Sequence, residues 1–203
     1  MFIKSVKANS IVVLLIGFLV TSCANTSVKD SWMEEGHTKS YKHPMIIGIS
    51  DSQQTRRLYE NHMVDELKKK KINAIASYTL ISSKQKIDRD TVIAAIKGTE
   101  IDAVLVSYLI SDEEVTVQRD SPLNTGYSSN VENSMVSDTL ISVRGRSSDG
   151  EVVTLKNDLY DVQTESLVWS VQTKSVAPES IDQVITEVTT LLIKKLFDDE
   201  LLK

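Results

Sequence analysis

The chain has 203 residues, of which 23 are Lys or Arg and 28 are Asp or Glu, giving a formal charge of −5. An acidic balance lacks the positive footprint on which nucleic-acid binders rely. A single cysteine excludes any disulfide within the chain, so the fold rests on an ordinary hydrophobic core.

Lys4 and Lys7 form a short positive segment, followed at residues 10–20 by SIVVLLIGFLV, eleven residues without a charge. A membrane-spanning helix needs about 20 apolar residues, so this run is too short to cross a bilayer. A positive start and a short apolar run are the pattern of an export signal. The alternative, a buried N-terminal helix, is disfavoured because residues 24–43 are mostly polar and offer it nothing to pack against.

The signal ends in Leu19-Val20-Thr21-Ser22-Cys23, which resembles the lipobox of bacterial lipoproteins. That resemblance implies cleavage before Cys23, a thioether-linked diacylglycerol on its sulfur and usually a third acyl chain on its amine. Each buried CH₂ contributes about 0.8 kcal/mol, so several chains anchor durably where one would not. Ala24 rather than Asp follows, which in Gram-negative lipoproteins is the pattern delivered to the outer membrane. Loss of residues 1–22 removes two of the 23 basic residues and none of the 28 acidic ones, leaving −7. A polybasic face for anionic lipid is therefore not expected.

Three segments are expected: a signal peptide over 1–22, the lipidated cysteine and a flexible tether over 23–44, and a single α/β periplasmic domain over 45–203. Residues 24–43 lack periodicity and apolar content, so they read as slack chain reaching about 60–70 Å if extended.

Within the domain, MIIGIS at 45–50 is bounded by Pro44 and Asp51 and reads as a strand. Leu58, Tyr59, His62, Met63 and Leu67 then recur at helical spacing, capped by Ser50 or Asp51 and closed by Lys68 to Lys71. Residues 72–81 alternate partly and suggest a second strand. Asp88 opens a short helix stopped by Gly98, and residues 101–110 form a third strand. The order is β-α-β-α-β, with both helices on one face if the strands are laid down in one direction.

The second half is β-rich over 135–144, 151–161 and 166–174, with short polar connections that favour antiparallel hairpins. Leu167, Trp169 and Val171 are assigned to one face of the last strand. From Ser180 a capping box, Ser180-x-x-Gln183, precedes a wide apolar stripe running from Ile181 to Leu196. The fold class is thus α/β (α+β): a mixed sheet with a β-α-β-α-β first half, an antiparallel second half and a C-terminal helix packed on the sheet above Trp169. One helix layer is expected, with helices on both faces as the alternative.

No nucleophilic constellation or zinc spacing is present, so no catalytic residue, metal or cofactor is assigned. His37 and His43 fall in the tether and His62 on the first helix. Asp112, Glu113 and Glu114 are adjacent rather than convergent, and Asp51 and Asp88 suit helix capping. GISDSQQT after the first strand lacks a phosphate-binding pattern. The segment 119–133 is long enough for a recognition loop, with Arg119, Asn124 and Tyr127 as its candidate contacts. A hairpin loop with Arg144, Arg146 and Asp149 is a weaker candidate.

The stretch LYDVQTESLVWS at 159–170 resembles a recurring piece of small envelope lipoproteins, two strands joined by a polar turn and followed by a helix. With the first half, the domain resembles uncharacterised outer-membrane lipoproteins of mixed α/β type. It is more remotely similar to curli-secretion and penicillin-binding-protein-activator lipoprotein domains. Such relatives are non-enzymatic partners in envelope assembly. The resemblance implies an envelope protein partner, a lipid bilayer bound through acylated Cys23, and no nucleic acid. The alternative is a periplasmic small-ligand-binding domain.

Overall fold

The computed structural model describes residues 26–110, 152–176 and 178–203. They form β1 (Thr26–Met33), β2 (Pro44–Gly48), α1 (Gln53–Lys69), β3 (Ile75–Ala76), a 3₁₀ turn (Ser77–Thr79), α2 (Arg89–Ile96), β4 (Ala103–Leu109), β5 (Val152–Asp161), β6 (Leu167–Val176) and α3 (Ile181–Asp198). The strands make one mixed sheet in the order β1-β6-β5-β4-β2-β3. β2 lies parallel to β3 and β4, whereas β4, β5, β6 and β1 pair antiparallel in succession. The expected α/β class, with its parallel first half and antiparallel second half, is what the chain forms.

Residues 26–43 depart from the expectation of slack chain over 24–43. Thr26–Met33 pairs with β6 from Thr26 opposite Ser175 to Met33 opposite Trp169. Downstream, Tyr41 is fully buried and its N–H donates to Leu201 O at 2.8 Å. Low apolar content misleads here because β1 is an edge strand. Backbone pairing holds it while most of its side chains remain in water. The folded unit therefore begins by Thr26 rather than at residue 45.

The helices lie on both faces. β3 sits on one side of β2 and β4 on the other, so the β3–α2–β4 connection runs back across β2. Two right-handed crossovers in opposite directions put α1 and α2 on opposite faces. α1 and α3 cover a core built on Ile46, Tyr59, Leu105, Leu159, Trp169, Val188 and Leu192. α2 covers a second core with Met45, Ile47, Val92, Val104, Val106 and Tyr160.

Local signals fix the helix starts. Ser52, rather than Ser50 or Asp51, caps α1, its Oγ accepting from Thr55 N at 3.2 Å. Asp88 caps α2 through Thr91 N at 2.9 Å. Ser180 accepts from Gln183 N at 3.1 Å, while Gln183 Oε1 accepts from Glu179 N, one residue outside the usual box. Gly98 closes α2 with φ +77°, a conformation that glycine adopts without strain.

Two strands differ in detail. The strand expected over 72–81 shrinks to Ile75–Ala76, because the chain turns at Ser77 to meet α1. In β6, Leu159 faces Trp169 and Tyr160 faces Leu167, so Val168 is an extra, bulged residue. The bulge sends Leu167 to the α2 face while Trp169 and Val171 stay beneath α3. Leu167 therefore does not share a face with Trp169. Trp169 is fully buried and its indole N–H donates to Asp199 Oδ2 at 2.7 Å, tying β6 to the end of α3.

Candidate functional site

Among the described residues, three clusters of buried polar side chains are richest in charge. In the first, Arg56 and Glu60 occupy successive turns of α1 and are both buried. Glu60 Oε1 accepts from Arg56 Nε at 2.9 Å, Gly48 N at 3.0 Å and Ser77 Oγ at 2.7 Å, while Oε2 accepts from Tyr78 N at 3.0 Å. Arg56 Nη2 also donates to Ser77 Oγ. With both carboxylate oxygens engaged, this ion pair is a latch joining α1, β2 and the 3₁₀ turn. Beside it the Tyr59 hydroxyl meets Ser107 Oγ at 2.5 Å, and burial pushes the Tyr59 phenol well above its ordinary range.

The second cluster lies at the opposite end of the sheet. Asp161 Oδ1 accepts from the N–H groups of Gln163 and Thr164 at 2.7 and 2.9 Å. Its Oδ2 accepts from Lys39 Nζ at 2.6 Å and the Tyr41 hydroxyl at 3.0 Å. Burial alone would raise this carboxyl, but the Lys39, Thr164 and Tyr41 donors and the Lys39 charge outweigh it and hold it below the usual range. Asp102 accepts from Lys42 N and His43 N in the same region. These bonds dock residues 39–43 onto the end of β5 and the start of β4.

The third cluster carries spare capacity. On β5, Asp158 points to the α2 side of the sheet and is buried. Its Oδ2 accepts from the Tyr108 hydroxyl at 2.9 Å and faces Lys156 Nζ at 3.5 Å. Among the described residues its Oδ1 accepts no hydrogen bond, and neither do Thr154 Oγ1 and Gln172 Oε1 on the same face. Desolvation raises the Asp158 carboxyl, with Lys156, Ser170 and Tyr108 offsetting only part of the effect. A buried acid of this kind can hold a proton, but catalysis requires a substrate cleft facing it.

A groove of about 460 Å³ lies between α2 and the ends of β4 and β5, and Asp158 is not part of its lining. Its floor includes Val92, Ile96, Ile101, Val104 and Tyr160, and the paired Arg89 and Glu165 side chains stand at its rim. Its size and apolar lining fall within the range of small-molecule sites.

Exposed apolar side chains gather elsewhere. Val28, Trp32 and Met33 on the edge strand are 40, 41 and 41 % exposed. The bulge at Lys29, with Asp30 beside it, interrupts the middle of that edge and protects it from unwanted pairing. Residues 31–33 then run on as regular strand.

Cys23, the segment 119–133 with Arg119, Asn124 and Tyr127, the strand expected over 135–144, the acidic run 112–114 and the 144–149 loop lie outside the described residues. His62 sits half-buried on α1, and Asp51 is exposed. Among the described residues no three His, Cys, Asp or Glu side chains converge as a metal-ligand set. No described helix is long and apolar enough to cross a membrane. Sequence reasoning missed Arg56, Glu60, Asp158, Asp161 and Trp32. Lys156-Asn157-Asp158 between Leu155 and Leu159 was a readable signal, since three polar residues inside a central strand must be paired or functional.

No protein-family model matches the chain, and no curated protein matches it either. Among solved structures, the PelC dodecamer from Paraburkholderia phytofirmans superposes with a TM-score of 0.46 at 12 % identity, covering 88 % of this chain and 99 % of that one. A single-substitution variant of the same PelC in another crystal form gives 0.48 at 12 % identity, with the same coverage.

Proposed function

We propose that the chain is exported, acylated on Cys23 and held at the outer membrane, where its folded domain acts without catalysis by binding another envelope protein. The observation that carries the binding surface is the apolar end of β1, with Trp32 and Met33 exposed on the strand that forms one edge of the sheet among the described residues. Strand addition at such an edge draws affinity from main-chain hydrogen bonds and specificity from alternating side chains. Export and acylation rest on the lysines, apolar run and lipobox-like residues that precede Cys23. Among the described residues the non-catalytic reading is supported by Glu60 and Asp161, whose carboxylate oxygens are engaged in structural bonds even though Asp161 lines the groove, and by Asp158, which stands outside that lining.

The test is copurification from solubilised native membranes with the intact chain and with a Trp32→Glu/Met33→Glu variant. A partner held by this edge is lost from the variant while Cys23 acylation persists. Unchanged recovery of every bound protein would reject the edge as the contact.

A second reading is favoured by the groove beside α2, whose apolar floor and charged rim suit a small amphipathic ligand. In that reading a Val92→Trp variant, which fills the floor, abolishes ligand retention and leaves protein contacts intact.

A further inference from the structure

The sheet has two ends of different character. At one, Thr26 stands opposite Ser175, Val152 opposite Val176, and α3 begins at Ile181. At the other, Met33 stands opposite Trp169, and Asp199 at the end of α3 binds that indole. Val152 and Val176 form a cross-strand pair, yet they are 39 and 44 % exposed.

Only three peptide units separate Cys23 from Thr26, a span of at most about 10–11 Å. Thr26 is already fixed in the sheet through its backbone register with Ser175. Its hydroxyl also bonds to Ser175 Oγ at 2.7 Å and to Glu187 Oε2 of α3 at 2.7 Å. A lipid on Cys23 therefore has no long tether through which to hold the domain away.

We infer that the Thr26 end of the sheet rests on the membrane surface, with Val152 and Val176 seated at headgroup level. The inference rests on the proposed acylation of Cys23 and adds an orientation to it. The partner is a lipid surface, because the acyl anchor and the exposed valines emerge at the same end. Glu179 and Asp182, both exposed at the start of α3, also face it, which disfavours strongly anionic lipid. Trp32 stands five register positions, about 17 Å at the strand rise of 3.3 Å, further along the sheet, clear of the bilayer and free for a partner. Asp198 stands about 26 Å along α3 from Ile181.

Acylation consumes the only cysteine thiol, so one introduced cysteine gives a unique labelling position. The full chain, expressed with its own leader, is prepared as Val176→Cys, Val152→Cys and Asp198→Cys. Each is labelled with a fluorophore and reconstituted in phosphatidylcholine vesicles containing a spin-labelled lipid quencher. The mass of the Cys23 peptide is measured in parallel. An acylated Cys23 with most emission lost at 176 and 152, and emission retained at 198, is the expected result. An acylated Cys23 with equal emission at all three positions, or with loss greatest at 198, overturns the orientation alone. An unmodified Cys23 overturns the anchor, and the orientation falls with it.

Discussion

Gly48 and Tyr59 approach so closely that a β-carbon on residue 48 would lie 2.9 Å from Cδ1 of the tyrosine ring. The ring cannot easily give way, because Tyr59 is buried and its hydroxyl is held by Ser107. A Gly48→Ala substitution must push β2 and α1 apart. Overpacking of this kind costs about 1–3 kcal/mol, so a lower urea midpoint with an unchanged slope is expected. Stability equal to the parent would mean that α1 shifts freely.

The Arg56–Glu60 pair gives a larger effect. Glu60→Gln keeps an acceptor for Gly48 N but leaves the buried guanidinium without its countercharge. Removing one partner of a buried pair costs about 3–5 kcal/mol. The Arg56→Met/Glu60→Gln double variant is expected to lose less than the sum of its single variants in chemical denaturation. Simple additivity would show that the two charges do not interact.

Asp158 and Asp161 lie three residues apart on β5 and respond to pH in opposite senses. The Asp158 carboxyl is raised in the fold, first by desolvation. Its folded state favours the proton, so its contribution is complete below 3.8 and is lost as pH rises through the higher folded value. Asp158→Asn should therefore gain stability relative to the parent as pH goes from about 4 to about 8. A difference independent of pH would contradict the buried, raised acid.

Asp161 is lowered despite burial, because Lys39, Thr164 and Tyr41 donate to it. Its contribution is present above 3.8 and is lost as pH falls through the depressed folded value. Asp161→Asn should be weakened most near neutrality, with the gap to the parent closing in acid. Thermal unfolding across that range reads the sign directly, and a gap that widens in acid would contradict it.

Helices were the most legible part of the sequence, since Ser180, Asp88 and the apolar stripe of α3 are local signals that short-range chemistry interprets. The face of α2 was not legible, because it depends on β4 pairing beyond β2, a long-range choice. β1 was hidden for a different reason: an edge strand needs no apolar alternation, and Lys29 and Asp30 disguise it as linker. The bulge at Val168 reversed the side of Leu167 with no glycine to announce it. Asp161 could not be read as a hub, because its partners Lys39 and Tyr41 come from the segment taken for slack.

The proposed protein contact lies at the Trp32 end of β1. A photo-crosslinking amino acid placed at position 32 in living cells tests it most directly, with position 58 on α1, 44 % exposed, as the comparison. A discrete adduct from position 32 and none from position 58 is the expected result. No adduct from 32, or the same adducts from both positions, would contradict it.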